Sequence, residues 1–178
     1  VTPSVTEPCW PTALATLAWL SADAIAPRRY AVHAAKTVGW LLNTYGRRLP
    51  LMPDTFGHNT TLQGWPWVAG THSWAEPTAY AVLALRAANR ADHPRTREAV
   101  ELLLDRTLPN GGWNYGNTRV LANTLRPFPA ATGVVLAALA GEPRDKRIDA
   151  SIEYLSNELS RVRAPHAWRR DGRRGGRP

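Results

Sequence analysis

The chain has 178 residues, of which 44% are hydrophobic and 20% charged, enough for one sizeable core and far from the composition of a disordered chain. Its net charge of +8 is concentrated at one end, because residues 161–178 hold seven arginines against one acid, Asp171, and account for +6 of it. A nucleic-acid footprint spreads along a folded face, so this distribution argues against a nucleic-acid partner, and the Arg/Gly-rich end reads as a solvated, disordered tail or as non-native sequence.

Three apolar stretches align without gaps. They are Pro11-Thr-Ala-Leu-Ala-Thr-Leu-Ala-Trp19, Pro77-Thr-Ala-Tyr-Ala-Val-Leu-Ala-Leu85 and Ala131-Thr-Gly-Val-Val-Leu-Ala-Ala-Leu139. Thr12, Thr78 and Thr132 hold the same place, 66 and then 54 residues apart. Each stretch is followed by a second apolar segment, Val38–Leu42, Val100–Leu104 and Ile152–Leu155. A paired unit used three times is the mark of a repeat architecture.

Both members of each pair predict helices, at approximately 10–22, 28–44, 76–90, 94–107, 129–140 and 145–162. The first members are rich in Ala and Leu, with Pro near the first turn, where its missing N–H costs nothing. Small residues nearly all round them imply burial on more than one side, so they form an inner row. The second members interleave charge: Ala99, Leu102, Leu103 and Arg106 follow three-to-four spacing, an amphipathic pattern that fits an outer row. No strand signal competes. The expectation is an all-α domain over residues 1–160, with pairs at about 10–44, 76–107 and 129–162, and the tail beyond it.

No apolar run approaches the roughly 18 residues of a spanning helix, and no basic-then-apolar signal peptide opens the chain. One cysteine, Cys9, excludes an internal disulfide and fits a reducing compartment. These features point to a cytoplasmic protein or one at the periphery of a membrane.

The stretch Thr107-Leu-Pro-Asn-Gly-Gly-Trp113-Asn-Tyr115-Gly follows Ala99-Val-x-Leu-Leu-Leu104, and Gln63-Gly64-Trp65 is a worn copy after the first pair. Together they resemble the repeat signature of squalene–hopene cyclases and protein prenyltransferase β subunits, which ends in Gln-x-x-x-Gly-x-Trp. Gly111 and Trp113 match, and Thr107 stands where Gln is usual. The likeness covers residues 7–160. It implies an α/α toroid in which about six helix pairs close a ring, so three pairs amount to half of one. A homodimer or a missing portion of chain would cover the open edges, and the Arg/Gly-rich end where a third Gly-x-Trp loop belongs suggests truncation or a frame error.

Every loop from an outer helix to the next inner one emerges at the same end of such an array. Asp54, His58, His72, Trp74 and Glu76 therefore share a rim with Trp113, Tyr115 and Asn117. The resemblance implies an isoprenoid-type apolar substrate, either cyclised by an acid or prenylated at a zinc site. The cyclase acid motif is absent: Glu76 falls on the acid position, without its neighbouring aspartates. Glu76 or Asp54 is the candidate acid, with His72 and His58 as partners. Trp67, Trp74, Trp10, Tyr115 and Asn117 are the candidate substrate contacts, aromatic faces being suited to an isoprenoid or a carbocation. No cofactor is favoured; zinc held by Glu7, Cys9 and His72 is the weaker alternative. The competing class is a non-catalytic helical-repeat interaction module.

Overall fold

A computed structural model describes residues 8–163, and in it the chain is mostly helical. The helices are α1 Thr12–Ile25, α2 Ala31–Asn43, α3 Ala75–Ala87, α4 Pro94–Asp105, α5 Pro129–Ala138 and α6 Lys146–Arg163. One departure from the expected all-helical reading is a two-stranded antiparallel ribbon, β1 Arg119–Val120 with β2 Asn123–Thr124. It is too short to show period-two alternation, and its turn residue Leu121 adopts φ 53°. Helix α6 runs on to Arg163, so the basic tail, placed at 161–178 from composition, lies outside the described residues from 164 onward.

The helices pack in the two rows that the pairing implies. α1, α3 and α5 contact one another in that order, and each is backed by the helix that follows it, α2, α4 and α6. Burial follows from this placement. Eight of the 13 residues of α3 are buried, because it has neighbours on both sides, whereas in α1 only Ala13 and Thr16 are. Ala75, Ala79, Val82 and Leu85 of α3 meet Ala99, Leu102 and Leu103 of α4 and Val135 and Leu139 near α5 in one core. Each fully buried Leu or Val contributes about 1.5–3 kcal/mol relative to exposure.

Local chemistry sets the helix ends. Pro94 and Pro129 occupy first-turn positions. Glu76 in the first turn of α3 and Arg86 in its last both complement the helix dipole. Arg86 also reaches across to the Ala140 carbonyl and the Glu142 carboxylate beyond α5. α3 gives way at Asn89, which takes φ 57°, and the chain beyond α5 turns at Gly141, with φ 87°.

Two Gly-Trp loops lock the pairs together in the same way. The Trp65 N–H donates to the Thr78 hydroxyl and its indole Nε1 to the Leu41 carbonyl, at 2.9 and 3.1 Å. The Trp113 N–H donates to Thr132 and its Nε1 to Leu103, at 2.9 and 2.6 Å. Both indoles are buried. Each thus joins the outer helix of one pair to the inner helix of the next. Gly112 lies before the second Trp at φ 79°, and a Cβ there would sit 2.8 Å from Pro127 and 2.9 Å from Tyr154.

Candidate functional site

The connecting stretches at 44–74 and 106–128 meet at the N-terminus of α3. Trp74 N–H donates to the Trp65 carbonyl and Ala75 N–H to the Tyr115 carbonyl, at 3.1 and 2.9 Å. The first stretch is held down along its length. Asn59 N–H donates to Asp105 Oδ2 at 2.8 Å, and the Asn59 side-chain oxygen accepts from Thr61 in a local turn. Gly57 N–H donates to the Arg119 carbonyl, and Leu121 N–H to the Thr55 carbonyl, which pins the stretch to the ribbon. Asn114 Oδ1 accepts from Gly116 N–H and Asn117 N–H, shaping the second stretch.

Between them is a cavity of about 170 Å³. Arg47, His58, Thr60, His72, Ser73, Arg106 and Asn117 supply its polar groups, and Phe56 and Trp74 its aromatic ones besides the histidines. Arg106 is 5% exposed and donates to the Gly116 carbonyl at 2.7 Å; its Nε lies 3.7 Å from Asp105 Oδ2. Burial lowers the Arg106 pKa to about 10 against the opposing pull of Asp105, so the guanidinium stays charged at neutral pH. His58, 8% exposed, is pushed down to about 3 by burial first, then by Arg106 and His72. His72 is lowered too, by burial and then by Arg106. Arg106 therefore faces uncharged imidazoles, and although Asp105 partly offsets it from outside, the cavity is lined by two guanidiniums, Arg47 and Arg106, and by no carboxylate. Such a place favours an anion.

The sequence-derived candidates separate into three groups. His58, His72, Trp74 and Asn117 do come together around the cavity, as the shared rim implies. The His72 ring lies 4.4 Å from that of Trp74, and Trp74 meets Tyr115 edge-on at 6.5 Å, so the exposed Tyr115 extends the aromatic surface outward. Trp10 and Trp67 form a second cluster, edge-to-face at 4.7 Å, with Tyr80 of α3 at 6.2 Å from Trp10. Tyr80 has its hydroxyl pKa raised by burial and then by Glu76, which places Glu76 with this cluster. Asp54 is exposed on the loop.

The two expected acid–base pairs do not form: among the described residues no hydrogen bond links Asp54 to His58 or Glu76 to His72. Among the described residues no three His, Cys, Asp or Glu side chains converge, and Glu7 of the zinc alternative lies outside them. Cys9 is free and half-buried. Trp113, whose loop shares the rim, is itself wholly buried between helix pairs.

Arg47, Phe56 and Arg106 were not singled out as site residues. A signal for Arg106 was present, in that it falls in phase with Ala99, Leu102 and Leu103 on the buried face of the outer helix. A charge in an apolar phase marks a buried cation that needs a partner. A wider hollow of about 520 Å³ opens between α4 and the α6 start, but its Glu101, Asp105 and Glu142 outweigh Arg97 and Arg147, so it does not favour an anion. No helix is long and apolar enough to cross a membrane among the described residues. No family model, curated protein or solved structure matches the chain.

Proposed function

We propose that the chain is an α/α-toroid repeat unit, three pairs of a ring of about six, that binds an isoprenoid-type molecule through an anionic head group. The observation that carries the reading is the cavity at the N-terminus of α3, where the buried Arg106 cation faces two uncharged imidazoles and an aromatic wall. A head group of phosphate type would pair with Arg106 and Arg47 and accept from a neutral imidazole N–H. The cavity holds no more than a head group, so the apolar chain would lie outward over Trp74 and Tyr115. The alternation of an inner row with backing helices supports the toroid part of the proposal.

The reading is one of binding. Turnover by an acid at Glu76 or Asp54 has no geometric support, because neither carboxylate meets the histidines expected to assist it. The test is calorimetric titration with farnesyl diphosphate, inorganic diphosphate and farnesol. Farnesyl diphosphate is expected to bind at least tenfold more tightly than either fragment, and Arg47→Ala to weaken it about tenfold, the loss of one charge-assisted contact. Equal affinity for farnesol, or binding indifferent to Arg47→Ala, overturns the proposal.

A further inference from the structure

The first helix pair carries, on its side away from the second, the same features that the other pairs use to hold a Gly-Trp turn. In both filled cases the receiving inner helix offers a first-turn threonine hydroxyl to a Trp N–H, Thr78 to Trp65 and Thr132 to Trp113. At the third pair the outer helix adds Ser151, whose hydroxyl donates to the Arg147 carbonyl one turn back and accepts Gly112 N–H, both at 2.7 Å. Thr12 stands at the place of Thr78 and Thr132, and its hydroxyl makes no hydrogen bond among the described residues.

The outer helix matches as well. Leu41 and Leu103 are equivalent, because their carbonyls receive the two indole N–H groups. Counting back from them, Thr37 aligns with Ala99, and Ala99 with Ser151 through the apolar runs that follow each. The Thr37 hydroxyl is turned back on its own helix as that of Ser151 is, lying 3.2 Å from the His33 carbonyl and 3.0 Å from that of Ala34. His33 in turn holds the place of Arg95, the cation 4.1 Å above the Trp65 ring, and presents an aromatic ring stacked on Trp19 at 5.5 Å. Thr12, Thr37, Trp19 and Trp40 line one cleft of about 350 Å³. Trp19 follows Thr12 by the same seven residues that separate Leu85 from Thr78 and Leu139 from Thr132; those leucines are buried, and Trp19 is only half-buried.

We propose that this cleft is a receptor for a Gly-Gly-Trp turn, with the Trp N–H seated on Thr12 and the preceding Gly N–H on Thr37. The occupant is assigned by direction. In both filled sockets the turn precedes the receiving helix in the same chain, Trp65 by 13 residues and Trp113 by 19. The partner is therefore the Gly-Trp turn of a further helix pair preceding Thr12 in the same polypeptide.

The test supplies that turn. A copy of residues 75–128 placed directly ahead of Cys9 sets a second Trp113 19 residues before Thr12, the native spacing. Its thermal midpoint is expected to exceed that of the same extended chain carrying Thr12→Val and Thr37→Val by about 4 °C or more, and that of one with the copied Trp changed to Ala by at least as much. Equal midpoints among the three overturn the proposal. Should the extension fail to fold, the peptide of residues 108–115 is titrated into the original chain and followed by NMR. Saturable shifts at Thr12 and Thr37, lost in Thr12→Val, are expected; no shift, or shifts elsewhere only, overturns it. Sedimentation of the original chain checks the source, because a dimer dispersed by Thr12→Val would assign the turn to a second copy and refute the assignment in cis.

Discussion

The hydroxyl of Thr132 accepts the backbone N–H of Trp113 at 2.9 Å, 19 residues back in sequence and across the boundary between two helix pairs. Both groups are buried. Replacing Thr132 with Val keeps the shape and leaves the Trp113 N–H without a partner. The expected loss is about 1–3 kcal/mol, the cost of an unsatisfied buried donor. Thr78→Val should cost a similar amount through Trp65. Urea denaturation of the two variants measures both.

Arg95 is the corresponding tie on the outer side. Its two terminal nitrogens donate to the carbonyls of Thr44, Gln63 and Gly64, at 2.9, 2.8 and 3.2 Å. Its guanidinium lies over Trp65 at 4.1 Å and Tyr45 at 4.3 Å, and it pairs with Glu98 at 3.2 Å. Lys keeps the charge but has neither the planar fork nor the stacking face. Arg95→Lys is therefore expected to destabilise by about 2 kcal/mol or more, and Arg95→Ala by about 3–5 kcal/mol. Loss of the Trp65 environment would appear as a change in near-ultraviolet circular dichroism in both.

His58 sets a pH dependence whose sign is fixed. Its folded pKa of about 3 lies below the ordinary 6.5, so the unfolded chain binds the extra proton in between. Its stabilising contribution is complete above about pH 6.5 and is lost as pH falls toward 3, at up to about 1.4 kcal/mol per unit. His72, lowered in the same direction by burial and then by Arg106, adds a loss of the same sign as pH falls below its ordinary value. Asp145, held down to about 2 by its bonds to Arg147, acts only below its ordinary 3.8. His58→Asn should flatten the stability curve between pH 6 and 4 by close to one proton. An unchanged slope would show that His58 is not the group responsible.

Gly112→Ala tests the second Gly-Trp loop by itself. The residue sits at φ 79°, and an added Cβ would press on Pro127, Tyr154 and the Thr132 hydroxyl, at 2.8, 2.9 and 3.0 Å. Backbone strain and crowding together are expected to cost about 2–4 kcal/mol. Asn110→Ala, an exposed change in the same turn, should cost little. Comparing their thermal midpoints separates the two.

The helices were legible because each of the three paired segments combines Pro or Ala at its start with three-to-four apolar spacing. The inner and outer roles were legible too, since charge is excluded from the phase that α3 buries on both sides. The ribbon at Arg119–Thr124 was not, because two-residue strands carry no period and are set by hydrogen bonds such as Gly57 N–H to Arg119. At the site, the rim order brought His58, His72, Trp74 and Asn117 together correctly. What spacing alone misread was side-chain direction. His72 and Glu76 are four apart in sequence, yet one lies on Trp74 before the helix and the other sits beside Tyr80 within it. Arg95 was hidden for a different reason. A buried arginine depends on carbonyls from distant loops, and those appear in sequence only as anonymous backbone.

The indole ties also free the chain that precedes them. The Trp65 ring bonds a carbonyl 24 residues back, and the Trp113 ring one only 10 back, yet both reach equivalent positions. The polypeptide between an outer helix and its tryptophan can therefore lengthen or shorten without altering how successive pairs stack. It is in the longer of these two stretches that His58 lies. The architecture thus has a tolerant insertion point beside the Arg106 cavity, where new side chains can be introduced while the helical frame stays as it is.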